Sequence, residues 1–121
     1  MKRNDRGAAV VEFAIVMPLL VALLVGIAEF GRAYYVQTTL SGAAREGVRV
    51  MALKDSPSAA KSAAISAAEP LAIAAGQIAV PANCSAGSNA TVTISYTMPF
   101  ITGLFGSSIG LTGKGVMRCG G

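Results

Sequence analysis

The chain begins apolar and ends alternating. No residue from Phe13 to Ala28 is charged, and Ala8 to Val11 extend the run on its N-terminal side. About twenty residues in a helix, at 1.5 Å each, suffice to cross a hydrocarbon core of ~30 Å. The pattern then changes without stopping. Phe30, Tyr34, Val36, Leu40, Ala43 or Ala44, Gly47 and Met51 recur at three- and four-residue steps, the spacing of one helix face. Nothing interrupts it before Asp55-Ser56-Pro57. The pattern therefore predicts a single helix from Ala8 to about Lys54, about 70 Å long, half in lipid and half standing out of it.

Ser56 followed by Pro57 has the form of an N-cap with proline at the first helical position, and an alanine-rich helix to about Ala68 should follow. Glu69-Pro70 ends it, and a short helical turn is expected to restart at Pro70 and stop at Gly76. From Gln77 the period shortens. "QIAVPANC" reads as a first strand and residues 85–89 as a turn. In "ATVTISYTM", Thr91, Thr93 and Ser95 alternate with Val92, Ile94 and Tyr96, a half-buried strand. The loop from Pro99 to Ser108 carries Phe100, Ile101, Leu104 and Phe105, either an exposed apolar contact patch or, the preferred reading, the lid of a small core. "IGLTGKGVMRC" reads as a third strand broken by glycines. The fold class is α+β: a long N-terminal helix, a second short helix and a small antiparallel sheet of about three strands. In chain order this gives a leader at 1–7, a membrane span at 8–28, a stalk helix at 29–54 and a small extracytoplasmic domain at 55–121.

Within the long helix, Pro18 removes one hydrogen bond and predicts a kink, which membrane helices tolerate. Ala22 with Gly26, and Ala43 with Gly47, are small residues four apart. They either let another helix approach closely or simply reflect an alanine-rich composition. Tyr34 and Tyr35 fall where the helix should leave the outer headgroups, a level that favours amphipathic rings.

Composition narrows the function classes. Apolar residues make up 53% of the 121 and charged residues 13%, too greasy for an ordinary soluble domain. The net charge of +4 is spread along the chain with no dense basic run and no aromatic interleaving, so a nucleic-acid surface has little support. Lys2, Arg3 and Arg6 form one small cluster suited to anionic headgroups. There is no histidine, and the two cysteines have neither zinc-ligand nor redox-motif spacing. Asp55, Glu69, Lys61, Lys114 and Arg118 do not assemble into an acid, base or metal constellation. Neither an enzyme, a cofactor, a metal nor a small-molecule substrate is expected. Cys84 and Cys119 fit one disulfide, which places them outside a reducing compartment and adds ~4 kcal/mol by constraining the unfolded chain. Whether the strand order allows that bridge stays open, because a simple meander separates its first and third strands.

The N-flank "MKRNDR" holds more positive charge than the first turns beyond the apolar run, where Glu29 and Arg32 stand. The positive-inside rule then keeps the N-terminus cytoplasmic and sends residues from about 30 outward. A cleavable secretory signal ending at Gly26-Ile27-Ala28 is the rival reading. Against it, Glu12 sits where the apolar region of a signal should begin, and the helical pattern continues past Ala28.

Glu12 is the residue that needs an explanation, since an acid in a membrane helix costs a few kcal/mol unless it is paired. It lies four positions after Ala8, so the Ala8 nitrogen and the Glu12 carboxylate share one helix face. A cut after Gly7 would remove the charged leader and create an ammonium at the head of the helix, beside that acid. Gly7 followed by "AAVVEF", with glutamate fifth and phenylalanine sixth after the glycine, resembles the cleavage site of type IV prepilin-like proteins. "EFGRAYYVQTTLSGAAREGVRV" is similar to TadE-like proteins, minor pilins or pseudopilins of bacterial tight-adherence (Flp) pilus systems. The "AAREG" run, Ala43, Ala44, Arg45, Glu46 and Gly47, is its most specific piece. The resemblance covers about residues 6 to 52.

The resemblance implies cleavage between Gly7 and Ala8 by a membrane prepilin peptidase, with Glu12 and Phe13 used in processing or assembly. It implies residence in the bacterial inner membrane and a role in biogenesis of an adhesive pilus. Its implied partners are other pilin-like subunits through the N-terminal helix, an inner-membrane assembly platform and an assembly ATPase. Carried over, "AAREG" puts Arg45 and Glu46 on the exposed stalk, either as solvated charges, with Glu46 spaced to pair with Arg49, or as an interface. An uncleaved membrane-anchored binding module for another envelope protein is the alternative.

Overall fold

The first helix, α1, runs unbroken from Lys2 to Lys54 in a computed structural model that describes residues 2–120, with side chains from Asp5 onward. It begins earlier than Ala8, because Asp5 in its first turn suits the helix N-terminus and Gly7 alone does not stop a helix. Met1, the first residue of the expected leader, and Gly121 lie outside the described residues. Helix α1 passes through Pro18 and ends where the sequence predicts. Asp55 takes a left-handed conformation at φ 49°, one that aspartate tolerates better than most residues, and its N–H donates to the Met51 carbonyl at 3.0 Å. The Asp55 Oδ1 then accepts from the Cys84 backbone N–H at 2.7 Å, tying the helix end to a distant loop.

Helix α2 spans Pro57–Ala68, and the Ser56 hydroxyl accepts from the Ala59 N–H as its cap. Glu69 has extended backbone angles, as the residue before a proline prefers, and ends the helix. The helical turn expected to restart at Pro70 does not form. Leu71 is half-buried and Ile73 buried against the core from non-helical chain, and only a 3-10 turn at Ala75–Gln77 follows.

The sheet has three strands: β1 (Ile78–Ala79), β2 (Asn89–Pro99) and β3 (Ser108–Arg118), antiparallel in the order β1-β2-β3. The α+β fold is thus as the sequence pattern predicts. β1 is shorter than "QIAVPANC" suggests, since Pro81 lacks a ladder donor. Gln77 partly substitutes, donating from Nε2 to the Ser95 carbonyl at 3.0 Å. β3 is not broken by its glycines. It pairs with β2 without a bulge from Asn89↔Arg118 to Pro99↔Ser108.

The chain divides into two compact units, 1–32 and 33–121. The first is helical throughout its described residues, and its large apolar side chains from Val10 to Ile27 are exposed except for the half-buried Val25. Among its described residues one acid, Glu29, is buried. The second unit has a conventional core. Val36, Leu40, Ala43, Ala44, Val48 and Met51 of α1 and Ala60, Ala64 and Ala68 of α2 cover Ala90, Val92, Ile94 and Met98 of β2. Both helices therefore lie on one face of the sheet. The other face carries Thr91, Thr93, Ser95, Thr97, Thr112, Lys114 and Arg118, all partly or fully exposed.

Two glycines explain how α1 lies so close to the sheet. A Cβ on Gly115 would stand 2.7 Å from the Ala44 carbonyl oxygen, and one on Gly113 would stand 2.7 Å from Leu40 Cβ and closer still to the Leu40 carbonyl. Both glycines are buried and neither has a positive φ. They are in β3 because the helix backbone occupies the space where side chains would be.

Candidate functional site along the long helix

Gly7, Ala8, Glu12 and Phe13 all lie on α1 in the first unit, and all described side chains among them are exposed. Phe13 is 65% exposed, and a Cβ on Gly7 would meet no atom within 4 Å. The bond between Gly7 and Ala8 is thus sterically open but helical. Around this site the exposed surface is made by Val10, Val11, Ile15, Val16 and Leu19.

The helix over residues 5–54 is long and apolar enough to cross a membrane, with a mean hydropathy of 2.7 in its most apolar window and none of that window buried. Such exposure of an apolar helix has a plain physical meaning. The surface is complete only in contact with lipid or with other helices.

The "AAREG" residues lie in the second unit and separate into two groups. Ala43 and Ala44 are fully buried, with Ala44 against Gly115. Gly47 is also buried, and a Cβ there would stand 3.1 Å from Ala64 Cβ and 3.3 Å from the Ala60 carbonyl oxygen. At Gly47 the close approach is therefore made by this chain's own α2, with Val92 of β2 beside it. Arg45 is exposed, and Glu46 accepts from Arg49 at 3.3 Å across one turn. That pair is solvated and contributes well under 1 kcal/mol.

Residues 7–49 match the family model for TadE-like protein. It is the family that this stretch resembles by its residues, and it is a structural, pilus-associated family. The match opens at Gly7 and runs through "AAREG", so it takes in the exposed first unit and the central helix of the second. No curated protein and no solved structure matches the chain.

Cys84 and Cys119 form a disulfide, with their Cα atoms 5.5 Å apart. The meander does separate β1 from β3, yet the bridge forms, because Cys84 lies beyond β1 on the loop that returns to the start of β2. There Asn89 pairs with Arg118, and the Cys119 N–H donates to the Ser88 carbonyl at 2.8 Å. Among the described residues no group of histidine, cysteine, aspartate or glutamate could hold a metal ion.

Three features escape the sequence pattern. Gly113 and Gly115 read as strand breakers and are contact points. The bond from Asp55 to the Cys84 loop joins residues too distant for any local rule. The loop from Pro99 to Ser108, expected over the core, instead exposes Ile101 by 66%, Leu104 by 64% and Phe105 by 47%, with only Phe100 partly packed inward. The core is already filled by alanines and β2 side chains, so the loop has no cavity to close. Its apolar composition was visible, but its direction was not.

Proposed function

We propose that this chain is a non-enzymatic minor pilin or pseudopilin of a tight-adherence pilus, processed after Gly7 and held in the bacterial inner membrane by α1. The match of residues 7–49, opening at Gly7 and followed by a small disulfide-bonded domain, carries this reading. The leader 1–7 keeps the precursor at the cytoplasmic face, residues 8–28 span the membrane, 29–54 lead outward, and 55–121 complete the extracytoplasmic domain. The disulfide suits that side, since cytoplasmic thiols stay reduced.

Cleavage gives Glu12 its partner. The new ammonium of Ala8, on this chain or a neighbouring subunit, meets the carboxylate one turn away on the same face. A charge pair in lipid is directional, so it fixes the register of one helix against the next. The partners are the prepilin peptidase, other pilin-like subunits packed on the exposed surface of α1, and the inner-membrane assembly platform with its ATPase.

N-terminal sequencing and intact mass of membrane-extracted protein test the processing. A chain starting at Ala8 is expected. One starting at Met1 removes the cleavage claim and favours an uncleaved binding module, and one starting at Glu29 means a secretory signal. Separately, Glu12→Ala should insert normally yet lose processing or incorporation. Wild-type pilus production by that variant would take Glu12 out of the mechanism.

A further inference from the structure

The direction of β3 relative to α1 within the second unit is fixed by four contacts. Gln37 Nε2 donates to the Thr112 carbonyl at 2.7 Å, Gly113 abuts Leu40, Gly115 abuts Ala44, and the Gly120 N–H donates to the Ala52 carbonyl at 3.2 Å. Residue numbers rise together along both elements, so β3 runs in the same direction as this part of α1. Its start at Ser108, and with it the turn joining β2 to β3, lies at the end of the unit where α1 enters at Ala33. That end is a few residues along the chain from the apolar run that closes at Ala28.

The turn is chemically unlike the rest of the unit's surface. From Pro99 to Leu111 there is no charged residue, while Ile101, Leu104 and Phe105 are exposed. Gly103 and Gly106 both have positive φ, at 74° and 119°, and so shape a tight loop that presents these side chains at its tip. Phe100 and Phe105 hold each other edge to face, with ring centroids 6.5 Å apart. Tyr34, 76% exposed, and Tyr35, 54% exposed, stand on α1 at the same end of the unit. Lys54, Asp55 and Arg118 gather at the opposite end, where Gly120 bonds to Ala52. One end of the unit is thus apolar and aromatic with no charge in its loop, and the other is charged.

We propose that the turn between β2 and β3 is a second, monotopic membrane contact, with Ile101, Leu104 and Phe105 inserted into the outer-leaflet interface. The occupant of this surface is lipid, because the apolar tip and the tyrosines share the end at which the chain enters from its apolar run. Apolar tips sink to the boundary of headgroups and acyl chains, and tyrosine favours the same level. The contact adds a second attachment to the bilayer surface without widening the span. It rests on the reading of residues 8–28 as a membrane span.

The chain contains no tryptophan, so single-tryptophan variants report depth without background. Full-length Phe105→Trp, Leu104→Trp, Leu20→Trp and Ser85→Trp are reconstituted in phosphatidylethanolamine and phosphatidylglycerol vesicles. Some of the lipids are brominated either near the headgroup or near the chain terminus, and circular dichroism checks each fold. The expected result is a blue-shifted emission from Phe105→Trp and Leu104→Trp, mostly lost to the shallow bromines. Leu20→Trp is lost to the deep ones, and Ser85→Trp to neither. If Leu20→Trp is quenched while both loop variants keep full emission, the loop contact is overturned and the span stands. A loop emission that is blue-shifted, unquenched and dependent on the protein-to-lipid ratio overturns it too, since another protein chain then covers the tip. An unquenched Leu20→Trp removes the span and the loop contact with it.

Discussion

Gly113→Ala adds one methyl group in the place already taken by the backbone of α1, and the consequence can be worked from the contacts. The new Cβ would stand 2.7 Å from Leu40 Cβ, whereas carbon atoms rest at about 3.5 to 4.0 Å, so α1 and β3 must part by about 1 Å. A gap of that size costs about a third of the attraction between facing atoms. If about twenty contacts of Leu40 face the strand, at about 0.15 kcal/mol each, its share is about 1 kcal/mol. Ala44, Val92 and Ile94 lie in the same layer and bring the loss to about 3 kcal/mol, within the usual range for overpacking. Alanine offsets about 0.5 kcal/mol by restricting the unfolded chain. A net loss of about 2.5 kcal/mol lowers Tm by roughly 10 to 20 °C in a domain of this size.

Thermal unfolding of detergent-solubilised full-length protein, followed by near-ultraviolet dichroism, reads the domain through Tyr96 on the helix-facing side of β2. Gly110→Ala is the internal control. It makes the same chemical change on the same strand, where a Cβ would meet no atom within 4 Å. Gly110→Ala should unfold at or slightly above the wild-type temperature. Equal stability of the two variants would refute the claim that β3 glycines set the distance between helix and sheet.

The same assay checks two further expectations. Reduction of the Cys84–Cys119 bridge, or its replacement by serines, should destabilise the domain by about 4 kcal/mol, given a separation of 35 residues. An unchanged Tm in reductant would show that the bridge constrains little. Ser56→Ala should cost about 1 kcal/mol by removing the cap on the Ala59 N–H, with Ser56→Gly costing less.

The elements that follow a local rule were legible in the sequence. α1 ends at Lys54 because Asp55-Ser56-Pro57 stops one helix and starts another, and both ends fall where those residues put them. β2 alternates in burial as its threonines and apolar residues alternate in sequence. Pro81 and Asp5 are local signals that the pattern reading passed over, whereas two other misreadings concern what another element supplies. Glycines in β3 look like weakness until the helix against them is known. Leu71 and Ile73 look like a helical turn, but both reach the core from non-helical chain. Near Gly7 and Glu12 the balance reverses: the residue pattern is the informative part, and the exposed helix adds only that the site is open and bare.

"AAREG" is where family resemblance and packing have to be separated. Ala43, Ala44 and Gly47 are all buried within this chain, Ala44 against β3 and Gly47 against α2. Their presence therefore says nothing about a partner. Glu46 has Arg49 across one turn. Arg45 is left as the motif residue that neither the core nor that ion pair accounts for, exposed on the part of α1 that belongs to the second unit. An Arg45→Glu variant separates the two meanings of the motif. Its effect on stability should stay within about 0.5 kcal/mol, as for other exposed positions, so the Tm barely moves. If the motif also serves assembly, processed and folded Arg45→Glu protein accumulates in the membrane while pilus production falls. Normal pili would mean that the motif exists to let a helix lie on a sheet, and that subunit recognition resides in the apolar surface before Ala33.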